Sequence, residues 1–338
     1  MNHILNYQNN ALQEYFLNNG YKKFLANQVF DWIYQKRQYD LNNWHNISNE
    51  VKKFIKDNLS FEFITIQKKQ TDKLTAKYLF KLVDDNYVEA VLMHHDYGLS
   101  VCISSQVGCN MGCKFCESGR LKKVRNLETY EMVEQILLIE QDIKKRIDSI
   151  VIMGIGEPFD NYDNVMNFIR IVNDPKGISI GARHITVSTC GLVPKIKQFM
   201  EEDLQVNLAI SLHAPNNEIR NMIMPVNQAY SIDILIDTLK TYIARTNRRV
   251  TLEYVMLYNI NDSIDCANEL ADLIRGMNVY VNLIPYNETS HIEFRKSPNI
   301  DAFYDQLKKR GINVTVRREF GSKIDAACGQ LRSKEVDK

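Results

Sequence analysis

The chain of 338 residues carries 42 Lys and Arg against 41 Asp and Glu, a formal net charge of +1, with 45% hydrophobic and 25% charged residues. This is the balance of an ordinary globular chain long enough to bury a sizeable core, which excludes a disordered, collagen-like or disulfide-scaffolded protein. With no global basic field, any nucleic-acid binding depends on local patches.

The opening "MNHILNYQNNALQEYF" lacks the charged start, apolar centre and small-residue cleavage site of a signal peptide, and no long apolar run follows. A cytoplasmic protein that does not enter a membrane is expected. In that reducing compartment the seven cysteines point to metal or redox chemistry rather than structural disulfides.

Residues 1 to 60 read as a helical unit, from the apolar spacing in "LQEYFLNNG", "ANQVFDWIYQKR" and "EVKKFIKDNL", with Gly20 as a stop signal. Residues 61 to 94 change to short β-type runs, "FEFITIQ", "AKYLFKLV" and "YVEAVLM", joined by polar turns, and read as a β-rich connector.

From 95 to 325, β-branched apolar runs alternate with helical patterns. The runs are "VCISSQV", "SIVIMG", "HITVSTCG", "VNLAISLH", "RVTLEYVML" and "VYVNLIPY", with "INVTVRR" as a seventh. The helical patterns include "TYEMVEQILLIEQDIKK", "NVMNFIRIVND", "SIDILIDTLKTYIART" and "DCANELADLIRGM". Strands buried on both faces and separated by helices require right-handed crossovers and a parallel sheet. The expected fold is α/β: a partial (β/α)6 barrel of TIM type, with an N-terminal helical accessory domain and a short β extension. Such a barrel places its chemistry at the carboxyl ends of the strands. Residues 326 to 338 form a separate C-terminal segment ending in the tail "SKEVDK".

"SSQVGCNMGCKFCESG" puts Cys109, Cys113 and Cys116 just past the first barrel strand, spaced C-x3-C-x2-C, with Cys102 seven positions upstream. Three soft thiolates so close suit zinc or an iron-sulfur cluster. Structural zinc takes four ligands, usually from two paired knuckles, and no second knuckle is present. Three ligands leave one metal position open, which makes the site catalytic in kind.

This placement resembles the radical S-adenosylmethionine (SAM) superfamily, in which three cysteines hold a [4Fe-4S] cluster whose fourth iron chelates SAM. More narrowly, "CISSQVGCNMGCKFC", "MGIGEPFDNYDNV", "ARHITVSTCG", "SLHAPNNEIRNMIMP", "VNLIPYN" and "GSKIDAACGQL" are similar, in order, to motifs of the RlmN family of RNA methyltransferases. The match runs from about residue 85 to 332, and the N-terminal helical unit fits that family's accessory domain.

The resemblance implies methylation of C2 of adenosine in 23S rRNA and in tRNA beside the anticodon, with two SAM consumed per turnover. An aromatic C2 carbon is not nucleophilic, so a radical route is needed. Cys109, Cys113 and Cys116 become the cluster ligands, and Cys328 the thiol that one SAM methylates. The second SAM, cleaved by the reduced cluster, yields the radical that activates this methyl group for addition to the base. Cys102 becomes the thiol that releases the product by forming a transient disulfide with Cys328. Glu89 matches the family's general base, and a carboxylate inside "YVEAVLM" is costly to bury without a partner or a task.

Gly156, Glu157, Ser188, Ser211, Leu212, His213 and Asn287 correspond to SAM contacts at strand ends. Further implications are an external one-electron reductant of flavodoxin type, 23S rRNA and tRNA as partners, and a monomer. Glu117 and Cys190 depart from the family's usual small residue and serine, and Cys190 and Cys266 are read as non-ligand thiols.

The cluster and the working cysteines are shared with sister enzymes of Cfr type, which methylate C8 of the same ribosomal adenosine. "GEP" and "SLHAP" favour the C2 enzyme. A non-catalytic iron-sulfur RNA-binding factor is the reading from another class. The basic stretches "RLKKVR" and "RTNRR" could track phosphates, although each alone reads first as a solvated face.

Overall fold

The apolar spacing near the amino terminus forms three helices, α1 (Asn9–Asn18), α2 (Lys23–Tyr34) and α3 (Asn49–Asn58). The structure, a computed structural model, describes residues 1–289 and 291–317. Helix α1 stops where anticipated: Gly20 has φ of +84°, and the N–H groups of Gly20 and Tyr21 return to the carbonyls of Leu17 and Phe16. Ser48 opens α3 by accepting the Val51 N–H. Leu12, Phe16, Phe30, Ile33, Trp44 and Ile55 bury the inner faces of this unit. Residues Asn2–His3 pair in parallel with Leu59–Ser60, which ties its two ends together.

The next strands are β1 (Thr65–Asp72), β2 (Thr75–Lys81), β3 (Tyr87–His95) and β4 (Gly98–Cys102), an antiparallel meander. It runs directly into a parallel series: β5 (Ser149–Ile152), β6 (Ile185–Thr189), β7 (Asn207–Ser211), β8 (Val250–Met256), β9 (Val279–Pro285) and β10 (Val314–Val316). Among the described residues these ten strands form one sheet in which spatial order equals chain order. Parallel neighbours require a crossover. The crossovers are made by α4 (Thr129–Ile143), α5 (Tyr162–Asn173), α6 (Val193–Phe199), α7 (Asn217–Ile223), α8 (Ile232–Thr246), α9 (Ile264–Leu273) and α10 (Ile300–Lys309). Because each step winds the same way, the sheet curls toward a barrel. Strands β1 and β10 do not pair, so among the described residues the barrel stays open, as the α/β partial-barrel expectation requires.

Two local expectations shift. "VCISSQV" is not one strand: β4 ends at Cys102, and Gln106–Val107 pairs instead with Arg125–Asn126. Ser104 bends the chain there, its hydroxyl donating to the Glu89 carbonyl at 2.6 Å and its N–H to the Gln135 side chain at 2.9 Å. Helices α6 and α7, of seven residues each, were passed over, being too short to display a period. No helix among the described residues is long and apolar enough to cross a membrane. The C-terminal segment from residue 326, with Cys328 and the tail, lies outside the described residues.

Candidate active site

The carboxyl ends of β4 to β9 and the inner face of β2 and β3 enclose a cavity of about 360 Å3. All three cysteines of C-x3-C-x2-C line it, and so does Cys102, the last residue of β4. The cysteine loop is fixed by its backbone: Cys109 N–H donates to the Leu121 carbonyl at 3.0 Å, Cys116 N–H to the Cys113 carbonyl at 3.1 Å, and Lys114 N–H to the Ile223 carbonyl at 2.9 Å. Burial pushes the Cys109 thiol up to about 12 and those of Cys113 and Cys116 upward as well, and charge on any one opposes ionisation of its neighbours. Three thiols in that position become thiolates together only around metal charge.

Among the described residues no three His, Cys, Asp or Glu side chains converge closely enough to hold a single metal ion. A cluster asks less, because each iron takes one sulfur. Polar atoms already wait in the cavity wall: the Thr75 hydroxyl and Oε2 of Glu117 are buried with no hydrogen-bond partner among the described residues. The donor set and these orphaned atoms fit a cluster with a polar ligand beside it.

Glu157 caps the turn after β5, its Oε1 accepting the Phe159 N–H at 3.0 Å and its Oε2 the Cys190 N–H at 2.8 Å. Burial still raises its carboxyl, while the bonds from Cys190, Thr189 and Phe159 oppose the rise. Gly156 has φ of +112°, and a Cβ there would lie 2.6 Å from the Gln106 Cβ, so only glycine brings this backbone to the wall. Ser188 and Ser211 line the cavity from β6 and β7, and Asn287 stands exposed at its rim.

His213 adopts φ of +58°, unusual for a residue with a Cβ. Its Nδ1 accepts the Val255 N–H at 3.0 Å, which puts the proton on Nε2, and burial followed by Arg220 holds its pKa down to about 3. Leu212 is not brought to the cavity; its side chain is buried in the core, and its N–H donates to the Glu253 carbonyl at 3.1 Å.

Glu89 is buried, faces the cavity from β3, and is paired to the equally buried Lys77 of β2 at 2.9 Å. Cys102 sits opposite Val91 in the β3–β4 register, in the same wall. Burial raises the Cys102 thiol, and Arg317 and Lys77 pull it back. Cys328 lies outside the described residues, although Arg317, eleven positions before it, lines the cavity.

Sequence reasoning missed several cavity residues. Glu253 on β8 is buried, in register with Ser211 and Asn282, and accepts the Asn282 amide at 2.8 Å. Burial raises its carboxyl and Arg317 lowers it. The signal was present, since Glu253 interrupts "RVTLEYVML" as Glu89 interrupts "YVEAVLM". Cys190, read as a bystander, lines the cavity, whereas Cys266 is buried on α9 away from it.

The basic stretches separate. In "RTNRR", between α8 and β8 at the amino end of the strands, Arg245 pairs with Glu201, Arg248 donates to the Leu204 carbonyl at 3.0 Å, and Arg249 lies over Tyr280 at 5.1 Å. "RLKKVR" follows the cysteine loop at the functional end. There Arg125 is held by Glu131 and Asp84, and Lys123 by Asp160, all at 2.7 Å.

A family model described as the radical SAM superfamily matches residues 103–273, and one described as the ribosomal RNA large subunit methyltransferase N-terminal domain matches residues 2–60. A Spiroplasma citri protein named as a dual-specificity RNA methyltransferase RlmN is 53% identical over 99% of this chain and 98% of its own length. An Enterococcus faecalis protein of the same name is 52% identical over 97% of this chain and 95% of its own. A crystal structure of a radical SAM methyltransferase from Sphaerobacter thermophilus superposes with a TM-score of 0.93 at 38% identity, covering 98% of this chain and 99% of that one. The superfamily implies SAM and a [4Fe-4S] cluster, which the cavity's donor set suits. A cysteine loop, a strand-end cavity and two relatives matched almost end to end place this chain in the RlmN family of radical SAM RNA methyltransferases.

Proposed function

We propose that this chain transfers a methyl group, through a methylated Cys328, to C2 of adenosine in 23S rRNA and tRNA, using two SAM per turnover. The observation that carries this reading is the shared cavity: the three loop cysteines, Cys102 and Glu89 all face one space of about 360 Å3. Cys109, Cys113 and Cys116 are the cluster ligands. When bound, the cluster supplies the electron, drawn from an external flavodoxin-like reductant, that makes SAM a radical source.

The chain's own residues do the rest. Glu157 offers its remaining carboxylate lone pairs to the methionine ammonium, and Ser188, Ser211 and Asn287 supply further hydrogen bonds around it. Leu212 acts through its backbone only. His213, neutral and edge-on to Phe115 at 4.8 Å, shapes the wall beside the cysteine loop. Glu89 accepts the proton that the base must lose for its ring to be restored, and the odd electron of the adduct would return to the bound cluster. Cys102 as thiolate attacks the sulfur of Cys328; a sulfur–sulfur bond forms, the sulfur–carbon bond breaks, and its electron pair leaves with the carbon, which a proton completes as methyl.

The test is anaerobic reconstitution of the full chain with iron and sulfide, reaction with SAM and reductant on rRNA and tRNA, and nucleoside analysis by mass spectrometry. The reading expects 2-methyladenosine in both RNA pools. 8-Methyladenosine would instead assign the C8 chemistry, and absence of both methyladenosine and 5'-deoxyadenosine would leave only an iron-sulfur RNA-binding factor.

A further inference from the structure

Helix α7 carries a guanidinium that no carboxylate among the described residues answers. Arg220 is fully buried at 0% exposure. Its Nε donates to the Leu212 carbonyl at 3.1 Å. Its Nη1 donates to Oδ1 of Asn227 at 3.0 Å and the Tyr230 carbonyl at 3.4 Å, and its Nη2 to the carbonyls of Cys190 at 2.7 Å and Ser211 at 3.3 Å. All five N–H groups of the fork are used, and every acceptor is neutral. Hydrogen bonding is complete, but among the described residues no hydrogen-bonded counter-ion compensates the charge, and a buried charge without a counter-ion is costly.

The place of this charge shows what could balance it. The carbonyl of Ile223, the last residue of α7, holds the Lys114 N–H of the cysteine loop at 2.9 Å. Cys113, Cys190, Ile223 and Met224 pack in one apolar cluster, so Arg220, bonded to the Cys190 carbonyl, stands directly behind the wall that carries Cys113. Its field reaches the Cys113 and Cys190 thiols, and burial holds the guanidinium itself down to about 10. In a low-dielectric wall such an interaction is screened little.

We propose that Arg220 is the fixed counter-charge of the cluster bound by Cys109, Cys113 and Cys116, and that it raises the cluster's reduction potential. This rests on the ligand assignment made under the proposed function. Three thiolates outweigh the charge of an oxidised [4Fe-4S] core, so the assembly is an anion, and an added electron makes it more negative. A buried cation beside it stabilises the reduced form more than the oxidised form. Arg220 is fully buried and does not line the cavity; it is a positioning residue that acts through the cluster while its fork gathers the ends of β6 and β7.

The test compares the full-length wild type with R220Q, R220K and N227D, each reconstituted anaerobically. Iron and sulfide are assayed first, and the cluster's midpoint potential is then read by electron paramagnetic resonance during titration with dithionite, which supplies the electron. R220Q should load a cluster of lower potential than wild type, and R220K, which keeps the charge without the fork, should return close to it. If R220Q does not fold, N227D carries the test, because it retains the guanidinium and sets a carboxylate against Nη1 at the 3.0 Å position; its potential should also fall. A wild-type potential in loaded R220Q or N227D, or an R220K value as low as that of R220Q, overturns the proposal. A wild-type chain that binds no iron and sulfide sinks the ligand assignment instead, so the two failures are distinguishable.

Discussion

Lys77 and Glu89 form an ion pair of 2.9 Å in which both side chains are buried, at 0% and 2% exposure, on adjacent antiparallel strands. In register Lys77 faces Val91 and Glu89 faces Leu79, so the pair spans a diagonal of the β2–β3 ladder on the side that lines the cavity. Removing one member takes from the other the opposite charge it holds at 2.9 Å inside the wall, a loss of about 3–5 kcal/mol, whereas replacing both with apolar groups of similar volume costs much less. Chemical denaturation of K77M, E89L and the double variant should therefore show strong non-additivity, with the double variant more stable than either single one. The methyltransferase activity should vanish in both E89L and the double variant, because packing restores the wall and not the proposed base. Additive stabilities would show that the pair is not the partner that makes Glu89 tolerable there.

Cys102 and Glu89 face the same space, and the proposed release step separates their variants. C102A should methylate Cys328 and carry the base onto it, then stall, so that RNA migrates with the protein on a denaturing gel. C328A should give neither product nor adduct. Free methylated RNA from C102A at the wild-type rate would remove Cys102 from the reaction.

His3 joins the N-terminal unit to α4. Its Nδ1 accepts the Leu5 N–H at 3.2 Å, its Nε2 lies 3.1 Å from the Glu62 carbonyl and 3.4 Å from Glu134, and its ring stacks on Tyr130 at 4.0 Å. Burial lowers its pKa from 6.5 to about 4, partly opposed by the Glu62 bond. A depressed histidine contributes stability that is full above its unfolded pKa and is lost as pH falls toward its folded one, because only the unfolded state then binds the proton. Between pH 6.5 and about 4 the wild type should lose on the order of 3 kcal/mol relative to H3Q. Thermal melts of both proteins across that range measure the difference. Parallel curves would show that His3 does not titrate with folding.

Much of this architecture is legible in the sequence because burial on both faces leaves an unambiguous trace. The runs that became β5 to β10 are apolar and β-branched, and α4, α5, α8 and α9 carry a period long enough to read. The site was less legible where the signal is a contact rather than a pattern. Glu253 announces itself by interrupting an apolar run, but Arg220 sits in a seven-residue helix among Asn and Met, where nothing in composition marks a buried charge. The break of "VCISSQV" at Cys102 depends on Ser104 bonding to Glu89 and Gln135, residues 15 and 31 positions away. Arg125, in a stretch that reads first as a solvated face, is likewise held by Asp84, 41 positions away, a contact that no local pattern announces.

Glu117, unlike Arg220, lines the cavity itself and carries an acidic group. It is 3% exposed, adjacent to Cys116, and its Oε1 takes Arg120 at 3.2 Å while Oε2 has no hydrogen-bond partner among the described residues. A buried negative group beside an anionic cluster disfavours the added electron, so E117Q, which keeps the volume, should raise the midpoint potential. Unchanged potential in loaded E117Q would mean that Arg120 already screens the carboxylate from the cluster.

Gly156 supplies the sharpest steric expectation. At φ of +112° a side chain is strained, and the Cβ of alanine would stand 2.6 Å from Gln106 Cβ and 2.9 Å from Gln106 N, contacts that require the wall to move. Gln106 cannot yield freely, because its side chain bonds the Glu157 N–H at 2.8 Å, Asn126 at 2.8 Å and Asp160 at 2.9 Å. The displacement would pass to Glu157, the residue assigned to the methionine ammonium. G156A should therefore lose SAM binding in equilibrium dialysis while still loading iron and sulfide, since the cysteine loop is held from Leu121 and Ile223 on the other side. Undiminished SAM affinity in a folded, loaded G156A would show that the turn after β5 is not part of the SAM site.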